Sequence, residues 1–149
     1  MILVDTSVWV DHLREGVPAL AAVLDEGIVL THPLGVGELA CGHLPNRSEM
    51  LALFARLPAA TRASDAEALE FIEHRSLMGR GIGYIDAHVL ASAALTHDAR
   101  IWTRDRRLAA VALELGLGVK PEFFLRQPRA KYRVGARFRA PRREVRASG

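Results

Sequence analysis

A second cysteine is missing from this 149-residue chain. Its absence excludes an internal disulfide and a cysteine-paired zinc site, and leaves Cys41 as a buried or incidental thiol in a reducing cytoplasm. No apolar run approaches the roughly 20 residues of a membrane helix, and no basic segment precedes the apolar start at Met1, so neither a membrane partner nor an export signal is expected. The six histidines (His12, His32, His43, His74, His88, His97) show no metal-ligand spacing, and His88 is expected to pack or hydrogen-bond. Gly79-Arg80-Gly81-Ile82-Gly83 follows no strand, which makes it a flexible connector and not a nucleotide-binding fingerprint. Lysine is scarce as well, Lys120 being the one lysine before residue 126.

What is present is enough apolar residue, 50% of the chain, to build one domain with a core, in a length too short for two. Charge divides that chain unevenly. Residues 1–125 hold 11 Lys+Arg against 16 Asp+Glu, a balance of −5, and residues 126–149 hold 9 against one, a balance of +8. The acidic body suits a cation and the basic tail an anionic partner. We therefore expect a domain over 1–125 and an Arg-rich extension over 126–149.

The body alternates short apolar strands with helices. Ile2-Leu3-Val4 reads as a strand buried on both faces, ending at Asp5, with Thr6 and Ser7 as N-cap types before a helix bearing Val8, Trp9, Val10 and Leu13. A short helix over 18–24 and a strand over 28–31 follow. Pro33 then suits the first turn of a helix carrying Glu38, whose Gly35, Gly37 and Gly42 point to close packing. Met50, Leu53, Phe54 and Leu57 form a helical stripe, either core or a seat for a partner helix. Ser64-Asp65-Ala66-Glu67 is a capping box opening a helix to about Met78. Residues 84–95 read as a helix apolar nearly all round, with Asp86 in its first turn. Ile101-Trp102-Thr103 is a strand leading to Asp105 and a helix with Leu108, Val111, Ala112 and Leu115 inward. Leu117-Gly118-Val119 reads as a last strand, with Pro121 closing the domain. Alternation of this kind predicts an α/β fold with right-handed crossovers and a mainly parallel sheet.

Asp5, Glu38, Asp86 and Asp105 each have an ordinary role available as a cap or a solvated helix residue. All four also fall just after a strand or near a helix start, positions that share one edge of a parallel sheet. Four carboxylates there repel one another and raise some of their pKa values. Hard divalent cations with a preference for oxygen, Mg²⁺ or Mn²⁺, relieve that repulsion.

Asp5-Thr6-Ser7, Glu38 with Gly42, Tyr84-Ile85-Asp86-Ala87 with its Ala-rich helix, and Thr103-Arg104-Asp105, in this order, resemble a PIN-domain ribonuclease, specifically a VapC toxin of a type II toxin–antitoxin pair. The resemblance spans residues 1 to about 125. It implies a PIN-like three-layer α/β fold, its mainly parallel central sheet flanked by helices, with Mg²⁺ or Mn²⁺ dependence, hydrolysis of RNA, a homodimer, a VapB-type antitoxin and a cytoplasmic setting. Carried over residue by residue, it makes Asp5, Glu38, Asp86 and Asp105 the catalytic and metal-binding acids, with Thr6, Ser7 and Thr103 as supporting hydroxyls. The expected chemistry is two-ion phosphodiester hydrolysis. Asp86 would stand between the ions, with Asp5 and Asp105 completing one site and Glu38 the other.

The Arg-rich extension departs from the family pattern. With two prolines and little apolar periodicity it is expected to be disordered alone. Arg104, Arg106 and Arg107 in the body and Arg133, Arg137 and Arg139 in the tail are the expected RNA contacts, with Tyr132 and Phe138 able to stack on bases; the alternative for the tail is a solvated segment or a strap over the acidic body. Two rivals share the acidic pattern. One is a catalytically silent PIN-like module that binds RNA or protein. The other is a Mg²⁺-dependent phosphotransfer domain, weakened because Ser7 stands where a phosphatase needs its second acid.

Overall fold

The computed structural model describes residues 1–126. Tyr132, Arg133, Arg137, Phe138 and Arg139, and the extension as a whole beyond Arg126, lie outside the described residues.

Three parallel strands form the centre: β1 (Ile2–Val4), β2 (Val29–Leu30) and β3 (Arg100–Trp102), in the spatial order β2-β1-β3. Registers are Ile2 to Val29 and Ile2 to Arg100. Single parallel bridges, Thr31 to Ala59 and Ile101 to Gly118, extend the sheet by one residue at each side. The last strand expected at 117–119 is therefore reduced to one bridge, held by Ile101 N to Leu117 O (2.7 Å) and Val119 N to Ile101 O (2.9 Å).

Alternation along these strands separates two cores. Ile2, Val4, Val29 and Trp102 face one side, and there meet Val8 and Trp9 of α1 (Thr6–Glu15), Leu20 and Val23 of α2 (Pro18–Asp25), Leu39 of α3 (Pro33–Cys41) and Phe54 of α4 (Arg47–Arg56). Leu3, Leu30 and Ile101 face the other, against Val89, Leu90 and Ala93 of α6 (Tyr84–Leu95) and Leu108, Val111 and Ala112 of α7 (Arg106–Glu114). α5 (Asp65–His74) adds Phe71 and Ile72 to that second core. The result is a three-layer α/β arrangement, with the parallel sheet that the alternation predicts and the flanking helices that the resemblance implies, and its strands are apolar on both faces because both faces are covered. The 50–57 stripe is largely core: Phe54 is 2% exposed and meets Trp9 edge-to-face at 5.0 Å.

Several local expectations are corrected. α5 ends at His74 and not near Met78, because Ser76 turns left-handed (φ 52°). Leu77 N then bonds Ile72 O (3.0 Å) and Ser76 N bonds Glu73 O (3.2 Å), the paired bonds of a Schellman cap. That turn drops Leu77 into the core at 3% exposure. Within the 79–83 connector Arg80 forks onto both carboxylate oxygens of Glu114 (3.3 and 2.6 Å). A side chain at Gly81, which has φ +73°, would meet Arg107 Cδ at 2.9 Å. Close packing is not what calls for Gly37, where an added Cβ meets nothing within 4 Å. Cys41 is exposed, not buried. Past Pro121 a short helix, α8 (Pro121–Arg126), packs Phe124 against Trp102 at 5.2 Å.

Candidate active site

The carboxyl ends of the parallel strands feed α1, α3 and α7, which carry or are capped by Asp5, Glu38 and Asp105, whereas α6, which carries Asp86, follows α5 through the 75–83 connector. Asp5 leaves β1 and is itself the N-cap of α1, its Oδ2 accepting from Ser7 N at 3.3 Å. Capping and site membership are thus compatible, since the cap uses one oxygen. The same Oδ2 also accepts from Ser7 Oγ at 2.5 Å and Thr103 Oγ1 at 2.8 Å. Ser7 Oγ accepts from Arg104 N (3.0 Å), and Thr103 Oγ1 from Asp105 N (3.0 Å). With both hydroxyl protons committed to Asp5, the 3.3 Å approach of Ser7 Oγ to Thr103 Oγ1 is a contact and not a further hydrogen bond. The start of α1 and the turn after β3 are thereby clamped on one carboxylate.

The other acids are held in the same economical way. Asp105 caps α7 through Oδ1, which accepts from Leu108 N at 2.8 Å. Asp86, in the first turn of α6, accepts from Gly83 N through Oδ2 at 3.0 Å. Glu38 accepts from Thr6 Oγ1 through Oε2 at 2.9 Å. Each acid spends one oxygen on the scaffold. The second oxygen of each, Asp5 Oδ1, Glu38 Oε1, Asp86 Oδ1 and Asp105 Oδ2, has no hydrogen-bond or ion-pair partner among the described residues.

Electrostatics tie the four acids together. Burial raises the pKa of Asp86 above the ordinary carboxylate value; the Gly83 N–H opposes that rise, and the charges of Asp5, Asp105 and Glu38 add to it. Asp86 thus senses the other three directly. Three of the four sit at helix N-termini, where the helix dipole stabilises a negative charge by about 0.3–1 kcal/mol each. That arrangement holds like charges near one another at one edge. Among the described residues no three of the acids stand at the mutual spacing of a closed chelate. The donor set nevertheless suits a hard cation: all oxygen, with one unpartnered oxygen each among the described residues and no imidazole or thiol.

The body arginines flank this edge. Arg104 is half-exposed and reaches Asp11 of α1 through Nε at 2.8 Å, a partner that sequence alone did not single out. Arg106 and Arg107 are exposed at the start of α7. His88 is buried with Nε2 at 3.1 Å from Asp65 Oδ1, so it packs and hydrogen-bonds outside the acidic edge. A signal for a second polar system was present but unread: Tyr84, His88, Ser92 and Thr96 recur at four-residue spacing through the helix expected to be apolar all round.

A parallel α/β sheet with Asp5 and Asp105 at the carboxyl ends of two of its strands defines the class of α/β proteins that bind their ligands at that edge. The family model that narrows it is that of the PIN domain, which matches residues 2–114; the chain belongs to the PIN-domain family. Ribonuclease VapC32 of Mycobacterium tuberculosis, from strain CDC 1551 / Oshkosh and from strain ATCC 25618 / H37Rv, is 43% identical over 122 residues, 82% of this chain and 98% of the relative.

Proposed function

We propose that the chain is an endoribonuclease of the VapC kind, the toxin of a toxin–antitoxin pair, hydrolysing RNA phosphodiester bonds with Mg²⁺ or Mn²⁺. The observation that carries this reading is the coupling of Asp86 to Asp5, Glu38 and Asp105 while each acid keeps one oxygen without a partner among the described residues. The similarity to ribonuclease VapC32 supports the activity.

Asp5, Glu38, Asp86 and Asp105 would hold the ions. A bound ion supplies a water of lowered pKa and charge for the developing oxyanion. The chain's own residues do the rest. Thr6 keeps Glu38 turned toward the edge, and Ser7 and Thr103 fix the Asp5 carboxylate through Oδ2. Arg104, Arg106 and Arg107 draw the RNA backbone toward the acids, joined by Arg133, Arg137 and Arg139 of the extension. RNA is the substrate, a VapB-type antitoxin the protein partner, and the working unit a homodimer in the cytoplasm. No described helix is long and apolar enough to cross a membrane.

Purified protein freed of antitoxin, incubated with total RNA in Mn²⁺ or Mg²⁺ beside an EDTA control and Asp86→Asn, tests the reading. Discrete metal-dependent cuts that vanish in the variant are expected. Metal-indifferent RNA binding without cleavage would instead identify a silent binding module.

A further inference from the structure

Along α6, Tyr84, His88, Ser92 and Thr96 line one face, as residues four apart do on a helix. The connector leading into α5 runs antiparallel down that line. Thr61 N donates to Thr96 Oγ1 (2.8 Å), Ala63 N donates to Ser92 Oγ (3.1 Å), and Asp65 Oδ1 takes His88 Nε2 (3.1 Å) and the Tyr84 hydroxyl (3.3 Å). The steps match: two residues of extended chain advance about 6.6 Å and four helical residues about 6 Å. This polar seam sets the rotation of α6 about its axis. Asp86, two residues after Tyr84, lies about 200° around the helix from the seam and so faces away from it.

One further residue joins the seam. His32 Nε2 lies 3.0 Å from Ser92 Oγ, with His32 3% and Ser92 0% exposed. His32 Nδ1 accepts from Leu34 N at 3.1 Å as the N-cap of α3. Because Nδ1 accepts, Nε2 carries the hydrogen and donates to Ser92. α3 and α6 belong to opposite sides of the sheet, Leu39 packing in one core and Leu90 in the other. The His32–Ser92 bond is therefore a direct side-chain tie between the helix that carries Glu38 and the helix that carries Asp86.

We propose that His32 is a positioning residue for the carboxylate site, its bond to Ser92 setting Glu38 against Asp86. The proposal rests on the metal-site reading above. A buried, capped imidazole bonded on both nitrogens is stiff, and the acids it registers have no closed geometry of their own.

The test uses the full chain and titrates Mn²⁺ without RNA, reading the shift in thermal midpoint, with kcat and KM on RNA measured alongside. His32→Asn keeps a side-chain oxygen for Leu34 N but is too short to reach Ser92. It should raise the half-saturating Mn²⁺ concentration roughly tenfold, the lower end of what losing a ligand-orienting partner costs, and lower kcat with KM unchanged. Ser92→Ala should do the same, and the double variant should be no worse than either alone. Thr96→Val, which breaks the same seam at its far end, should lower metal-free stability and leave the Mn²⁺ midpoint unmoved. Unchanged Mn²⁺ half-saturation in His32→Asn, or an equal shift in Thr96→Val, would overturn the proposal while leaving the carboxylate site standing. A wild-type protein with no Mn²⁺ response, indistinguishable from Asp86→Asn, would overturn both.

Discussion

The hydroxyl of Ser7 donates to Asp5 Oδ2 at 2.5 Å and accepts from the backbone of Arg104 at 3.0 Å, so one side chain holds the first acid of the site and the turn that leads to the last. Removing it leaves Asp5 on Thr103 and a backbone N–H. Ser7→Ala should destabilise the protein by about 1.5–3 kcal/mol, the range for a hydrogen bond to a charged group. It should also cut cleavage roughly 10- to 100-fold. Urea unfolding and single-turnover cleavage check the two effects.

Asp86 is expected to behave in the opposite sense for stability. Its folded pKa is raised, chiefly by burial, so the stability it contributes is complete at acid pH, below the ordinary carboxylate range, and is lost as pH rises through the raised value. At neutral pH the metal-free protein bears that loss. Asp86→Asn should therefore melt at or above the wild-type temperature without metal. It should also fail to gain the roughly 2.7 kcal/mol that wild type gains at Mn²⁺ concentrations about 100 times the dissociation constant. Melting curves with and without Mn²⁺ decide it, and a variant still fully stabilised by Mn²⁺ would remove Asp86 from the ligand set.

His32 gives a pH signature of its own. Burial first, then the charges of His88 and Arg62, hold its pKa down at about 4 from 6.5. Stability from this depressed pKa is complete above the unfolded value of 6.5 and drains away as pH falls toward about 4. The amount at stake is about 3 kcal/mol as an upper bound. His32→Asn should accordingly lose less stability than wild type between pH 7 and pH 4.5 in paired urea titrations.

Arg104 and the extension are separable by salt dependence. The Arg104–Asp11 pair is too exposed to matter much for folding, so Arg104→Ala should change stability by less than about 1 kcal/mol. If Arg104 contacts one phosphate, the slope of log affinity for single-stranded RNA against log salt should flatten by about 0.7. Truncation after Leu125 removes the 9 Lys+Arg of residues 126–149 and should flatten it further. A slope unmoved by truncation would leave the extension without an RNA role.

Gly37→Ala is expected to stabilise. The position is exposed and helical with nothing within 4 Å of an added Cβ, so the change should raise stability by up to about 1 kcal/mol through helix propensity alone. Calorimetry on the metal-free protein measures it.

Three strands, seven of the helices and their order were legible in the sequence, whereas the strand expected at 117–119 is a single bridge and α8 was not foreseen. Strands apolar on both faces need cover on both sides, so Ile2-Leu3-Val4 and Ile101-Trp102 announce a central sheet, and Ser64 with Glu67 announces the start of α5. The end of α5 was illegible because Ser76 supplies the left-handed turn there against its own preference. The four acids could be named because each follows a strand or opens a helix. Their sharing of one edge could only be expected. Tertiary structure decided which oxygen of each acid is spent on the scaffold, that Ser7 and Thr103 converge on Asp5, and that Arg104 turns to Asp11. It also decided that a helix apolar by composition carries a polar seam reaching His32. Those contacts join residues up to 98 positions apart, and periodicity along the chain reports only which face of its own element a residue occupies.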